Sequence, residues 1–290
     1  MKIKRSSFDI AFDFFIYSVL VLLAIITLLP FMQVITISVS PSSVVSSYGF
    51  HIFPARFDFD GYKKILEYTL MRDAYRNTII RTAIATVLSV FLYVIGAYPL
   101  SKKYLPNRKF WTGLIIFTMY FGGGLIPNYL LIKNLGLYNS LGALILPGAI
   151  NTFTLIIVRN FFMTIPQELE EAARIDGAND IYILFRIILP LSLPIIATAA
   201  LWTAVGSWNA WFDCMLYIKD QNKYVLQYVL RQILLQGQSV DVMGESQTIY
   251  VNSETMKMAA LVVAVLPIIC TYPFLQKYFI KGMLVGSVKS

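Results

Sequence analysis

Six stretches of this chain are apolar over about the length that a helix needs to cross a bilayer, and no other feature restricts its fold as much. They lie at about 14–39, 78–100, 110–131, 141–158, 187–211 and 258–279. In hydrocarbon every backbone N–H and C=O needs an internal partner, so such runs become helices. Composition points the same way. The 290 residues are 57% apolar and 14% charged, against roughly 45–50% and about 25% in soluble domains. The sequence therefore predicts an all-α membrane protein with six transmembrane helices in a single domain, 1–290.

Several function classes drop out early. The net charge of +8 forms no basic stripe, and many of the bases flank apolar runs, where anionic lipid holds them, so no nucleic-acid partner is expected. His51 is the single histidine, and Cys214 and Cys270 are far apart, so neither a metal site nor a disulfide nor any other cofactor site is readable. Met1-Lys2-Ile3-Lys4-Arg5 leads into an apolar run longer than the roughly 7–15 residues of a signal peptide, which reads as a retained first span.

Prolines and glycines mark interruptions within the spans. Gly122-Gly123-Gly124 followed by Pro127 should break or kink the third. With the N-terminus inside, the inner segments carry thirteen Lys and Arg and the outer segments nine, which places both termini in the cytoplasm. Two outer segments are long, about 40–77 and 212–257, and the second holds a glutamine-rich stretch.

The loop between the fourth and fifth spans, TIPQELEEAARIDGANDIYILFRIILPLSLP over residues 164–194, carries the most local information. Thr164 can cap a helix, with Gln167 closing the box and Pro166 tolerated in the first turn. Gly177 supplies a left-handed stop, and Asp180 is placed to cap a second helix that runs through Phe185 towards Pro190. The product is a helix–glycine–helix elbow. Ala172 and Ala173 would let another surface approach, and Glu171 and Arg174 share a face. Two roles suit such an elbow, a mechanical contact with a partner or a helix lying flat on lipid.

The run Glu171-Ala172-Ala173-Arg174, then Asp176-Gly177-Ala178, then Phe185 and Leu189-Pro190 resembles the EAA loop of binding-protein-dependent ABC importer permeases. The resemblance implies a type I permease fold in which residues 164–190 form a cytoplasmic coupling helix that docks on an ATPase. It covers nearly the whole chain and is closest to the smaller maltose-type permease of carbohydrate uptake. The tail through Lys281, Gly282, Gly286, Ser287 and Lys289 is similar to one that reaches between two ATPase subunits. Residues 121–150 resemble permeases for complex or uronate-containing oligosaccharides. The partners implied are a second homologous permease, a cytoplasmic ABC ATPase dimer, an extracytoplasmic sugar-binding protein, membrane lipid and the carbohydrate itself. The location implied is the bacterial cell membrane.

For the substrate path, amide and aromatic side chains suit sugar hydroxyls and ring faces. The candidates are Asn128, Asn151, Trp202, Trp208 and Asn209, with Trp211 beside them. Arg81 is expected to snorkel to the outer interface. No P-loop pattern GxxxxGK[ST] occurs, so the chain itself is not expected to be an enzyme. An ABC permease for a non-sugar solute and a secondary transporter are the alternatives.

Overall fold

The computed structural model describes residues 7–41, 45, 49, 52–54, 56–236 and 254–287, and in the last helix it describes side chains as far as Thr271. His51, most of the glutamine-rich stretch, the side chains of the tail residues Lys281, Gly282, Gly286 and Ser287, and the whole of Lys289 lie outside the described residues. The described elements are all helical: α1 Ser7–Ser38, α2 Asp60–Glu67, α3 Thr69–Ser101, α4 Arg108–Tyr120, α5 Leu125–Asn134, α6 Leu141–Ile145, α7 Thr152–Phe162 and α8 Gln167–Ile175. There follow α9 Asp180–Leu191, α10 Leu193–Asn209, α11 Phe212–Tyr217, α12 Leu226–Gln236 and α13 Glu254–Ser287.

Among the described residues, three helices are unbroken and apolar enough to cross a membrane: α1, α3 and the Glu254–Thr271 part of α13. Two bent helix pairs are long and apolar enough only when each pair is taken together. α4 and α5 meet at 109°, where Gly124 at φ +88° turns the chain after the glycine triplet. α9 and α10 meet at 82° about Ser192. Ahead of that bend, Leu184–Ile188 widen into a π turn. Pro190 has no N–H to give and its ring crowds the carbonyl four residues back, so the ladder opens there.

The stretch expected as the fourth span, 141–158, is two helices. α6 stops at Ile145 and α7 starts at Thr152: Leu146 keeps helical backbone, and Pro147 after it has no N–H to continue the ladder. Asn151 then restarts the helix, its side chain accepting the Thr154 N–H at 3.0 Å. At eleven residues α7 covers about 16 Å, roughly half of the hydrocarbon core.

The described residues group into two compact units, those of 1–68 with 230–266 and those of 69–229 with 267–290. In the first, α1 buries none of its most apolar window, as a helix facing lipid or a partner would. The Ser38 and Tyr62 hydroxyls bond at 2.7 Å, and Thr255 Oγ1 donates to the Ser40 carbonyl. Gly61 lets α2 approach α13 closely, since a Cβ there would stand 3.1 Å from Thr255 Cγ2.

The second unit is built on α3, against which α7 and α10 pack. Its core joins Tyr93, Val94 and Ala97 of α3 to Leu155, Val158 and Phe162 of α7, and to Ile183 and Ile188 of α9. Ala173 and Ala178 of the elbow lie against this same core. The elbow is therefore seated on the membrane-spanning helices rather than hanging from a loop.

Candidate functional site

α8 and α9 form the elbow. α8 ends in a Schellman turn: the Gly177 N–H reaches the Arg174 carbonyl at 3.0 Å and the Ala178 N–H reaches that of Ala173 at 2.9 Å. Gly177 sits at φ +84° with open space around it, so glycine is needed here for its backbone and not for room. The two expected caps are corrected. Thr164 turns back to donate to the Phe161 carbonyl at 2.7 Å, because Pro166 holds the N-cap position of α8 in an extended conformation. Asn179, not Asp180, caps α9, accepting the Tyr182 N–H at 2.8 Å. Asp180 is freed for a side-chain role.

That role is to brace the elbow across its bend. Arg174 Nη2 donates to Asp180 Oδ1 at 2.7 Å and to the Tyr104 hydroxyl at 2.5 Å, with its guanidinium 4.7 Å from the Tyr104 ring centre. Hydrogen bonds to Tyr104 and Asp180 hold the Arg174 guanidinium above its ordinary pKa, while burial pushes the Tyr104 phenol up. Arg174 therefore works within the chain. Glu171, on the neighbouring turn, is exposed and has no ion-pair partner among the described residues. Ala172 is exposed, whereas Ala173 faces inward. Ile175 is 87% exposed and Ile181 70%, with Tyr182 beside them, so the outer rim of the elbow joins acid to uncovered apolar surface. Asp176, Gly177, Ala178 and Tyr182 line a shallow recess there.

One elbow contact gave no signal in sequence. Glu170 is 7% exposed and Lys102, just beyond the end of α3, is 5% exposed; the two form a buried ion pair. Lys102 Nζ also lies 4.2 Å from the centre of the Tyr98 ring. Within the EEAA run the two glutamates are thus divided, Glu170 inward and Glu171 outward.

The second feature is a cavity of about 470 Å³ lined by Arg81, Tyr93, Asn151, Thr154, Trp202 and Asp213, among others. The expectation that Arg81 snorkels is overturned: it is 3% exposed and paired with the Asp213 carboxylate. Its guanidinium also donates to the Ala210 carbonyl at 3.3 Å and to that of Leu144 at 3.2 Å. These acceptors come from the α10–α11 junction and from α6, brought to α3 only by folding, which is why no local pattern announced them. Both terminal nitrogens are engaged, and the Arg81 side chain is 4% exposed against 26% for Asp213. The cavity therefore presents a carboxylate acceptor, not a cation.

The structure brings Asn151 and Trp202 to this cavity. Trp208 is 8% exposed, packs edge-on to Tyr75 and lines a separate, apolar cavity with Pro267. Asn128 and Asn209 are exposed and line neither.

With this geometry in hand, likeness to known proteins is informative. The family described as binding-protein-dependent transport system inner membrane component matches residues 65–285. Protein LplC of Bacillus subtilis (strain 168) is 45% identical over 265 residues, 91% of this chain and 90% of that one. The polygalacturonan/rhamnogalacturonan transport system permease protein YtcP of the same organism is 44% identical over 280 residues, 96% and 98% of the two chains. A chain from a bacterial ABC transporter involved in the import of the acidic polysaccharide alginate superposes with a TM-score of 0.87 at 33% identity, covering 96% of this chain and 100% of that one.

Proposed function

Because the chain belongs to the family of binding-protein-dependent transport system inner membrane components, we propose that it is one permease subunit of an ABC importer that carries an oligosaccharide into the cytoplasm. The observation that carries this is the elbow: a glycine-stopped, internally braced turn that leaves Glu171, Ala172 and an apolar rim uncovered. Such a surface suits a protein cleft better than anionic lipid, which an exposed acid opposes. A separate ATPase subunit would supply the hydrolysis, docking at residues 168–180, with the tail beyond Lys281 reaching between two such subunits. A second permease and an extracytoplasmic sugar-binding protein complete the assembly. The chain would form a single permease domain in the bacterial cell membrane with both termini in the cytoplasm.

Two relatives support an oligosaccharide, one named for polygalacturonan and rhamnogalacturonan and the other for alginate. The cavity supports it chemically. Asp213 and Asn151 offer hydrogen bonds to hydroxyls, and Trp202 offers a ring face. Both terminal nitrogens of Arg81 are already engaged and its unpaired Nε is buried, so contact here is with the hydroxyls of the glycan and not with its carboxylates.

The test is reconstitution of the chain with its neighbouring permease, ATPase and binding protein in proteoliposomes, followed by uptake of labelled oligosaccharides, monosaccharides and amino acids. ATP-dependent uptake of oligosaccharides is the expected result. Uptake confined to a monosaccharide or an amino acid would remove the substrate assignment, and uptake without ATP would remove the ABC assignment.

A further inference from the structure

We propose that the buried Lys102–Glu170 ion pair is a strut that transmits motion of the elbow into α3, and that Lys102 and Glu170 are positioning residues for coupling rather than for fold stability. The inference rests on the importer assignment above and concerns what lies behind the docking surface.

Three observations support it. First, the pair is buried at both ends, with Lys102 5% and Glu170 7% exposed. Desolvating two charges is expensive, and well-packed apolar side chains at such a place generally stabilise a fold as well or better. What an ion pair adds is direction, because it holds one geometry and resists sliding. Second, the pair joins the one helix that faces outward for docking to the one helix on which the second unit is built. Glu170 projects from α8 towards the core while its neighbour Glu171 projects away, so a load taken at Glu171 is passed inward by the adjacent residue. Lys102 is fixed in turn by the Tyr98 ring of α3. Arg159 of α7 steadies the same end, its Nε donating to the Leu100 carbonyl at 3.0 Å.

Third, α3 carries another ion pair, with its arginine buried and its aspartate partly exposed. Arg81 lies about 30 Å up the helix from Lys102 and binds Asp213 at the wall of the cavity. A stiff helix fastened at one end to the elbow and near the other to the cavity is a lever. The bracing triad Arg174, Asp180 and Tyr104 keeps α8 and α9 moving together, so displacement of the elbow is not lost in its bend.

The experiment separates a strut from a packing contact. In the reconstituted importer, Lys102→Met/Glu170→Leu removes both charges together and leaves no buried charge unpaired. The expected result is unchanged membrane abundance and melting temperature, retained co-purification of the ATPase, and sugar imported per ATP hydrolysed reduced by about tenfold, within the range of site-to-site coupling. The swapped pair, Lys102→Glu/Glu170→Lys, should recover most of that ratio. Glu170→Asp keeps the charge but shortens the arm, and should lower the ratio partway even if the apolar pair fails to accumulate. An unchanged ratio in the apolar pair, or in Glu170→Asp should the apolar pair not accumulate, overturns the strut while leaving the importer assignment intact. Loss of ATPase binding by the wild-type chain would instead strike at that assignment.

Discussion

The elbow and the cavity use charge in opposite ways. At the elbow, α8 turns one glutamate inward to a lysine and leaves the next exposed without an ion-pair partner among the described residues. At the cavity, both terminal nitrogens of Arg81 are taken by Asp213 and two carbonyls. Under the proposed function, the difference is that between a docking surface and a passage. A surface that must recognise one partner keeps an unsatisfied charge and a bare apolar rim, to be completed on contact. A passage that must release what it binds presents neutralised groups, whose grip on a hydroxyl is modest.

The largest effect should come from breaking the cavity pair on one side. Arg81→Met leaves the partly exposed Asp213 without its partner and should cost about 1.5–3 kcal/mol, seen as a drop in melting temperature of the purified chain in detergent. Arg81→Met/Asp213→Leu should recover much of it. Equal losses in the single and double variants would show that Arg81 acts through packing alone. Next is Gly177→Val, which forces a β-branched residue to φ +84° and should cost about 1–3 kcal/mol locally. Open space surrounds Gly177, so Gly177→Asn should be milder, and a comparison of uptake by the two reads backbone strain directly.

The caps sharpen the elbow half of the contrast. Asn179→Ala should cost about 1 kcal/mol, whereas Thr164→Ala, which caps nothing downstream, should fall within about 0.5 kcal/mol. Melting curves of the two variants check the order. The smallest effect is a chemical one. Burial pushes the Cys214 thiol up to about 11, so at pH 7.5 it should resist maleimide in the folded chain and react only after denaturation. Mass spectrometry of the labelled protein would show it.

These two regions were not equally legible in sequence. The elbow rests on neighbours within a few residues: a glycine at the helix end, a proline before α8, an amide before α9. Its outline could therefore be read locally, and the differences are of one or two residues in capping, Asn179 for Asp180 and Pro166 for Thr164. The break in the third span was likewise announced by consecutive glycines. In the fourth span Pro147 is visible in the sequence, but apolarity does not reveal whether a run that holds a proline is one kinked helix or two. The cavity and the strut were beyond local reading. Arg81 meets Asp213 across 132 residues and Lys102 meets Glu170 across 68, so the partner of each lies beyond any local pattern. Of the aromatic and amide candidates, chemistry alone could not distinguish Trp202, which reaches the cavity, from Trp208, which turns to Tyr75.

The most direct measurement is co-purification of the partner ATPase with the wild-type chain and with Glu171→Lys, at matched membrane abundance. Glu171 is exposed and outside the spans, so the variant should insert normally. Reversing a charge at a docking cleft costs several kcal/mol, so ATPase recovery and sugar-stimulated hydrolysis should both fall sharply. A helix resting on anionic lipid would behave otherwise, since an added lysine would leave it unchanged or bind it more tightly. Full ATPase recovery with normal sugar uptake in Glu171→Lys would contradict the assignment of the elbow as the docking element.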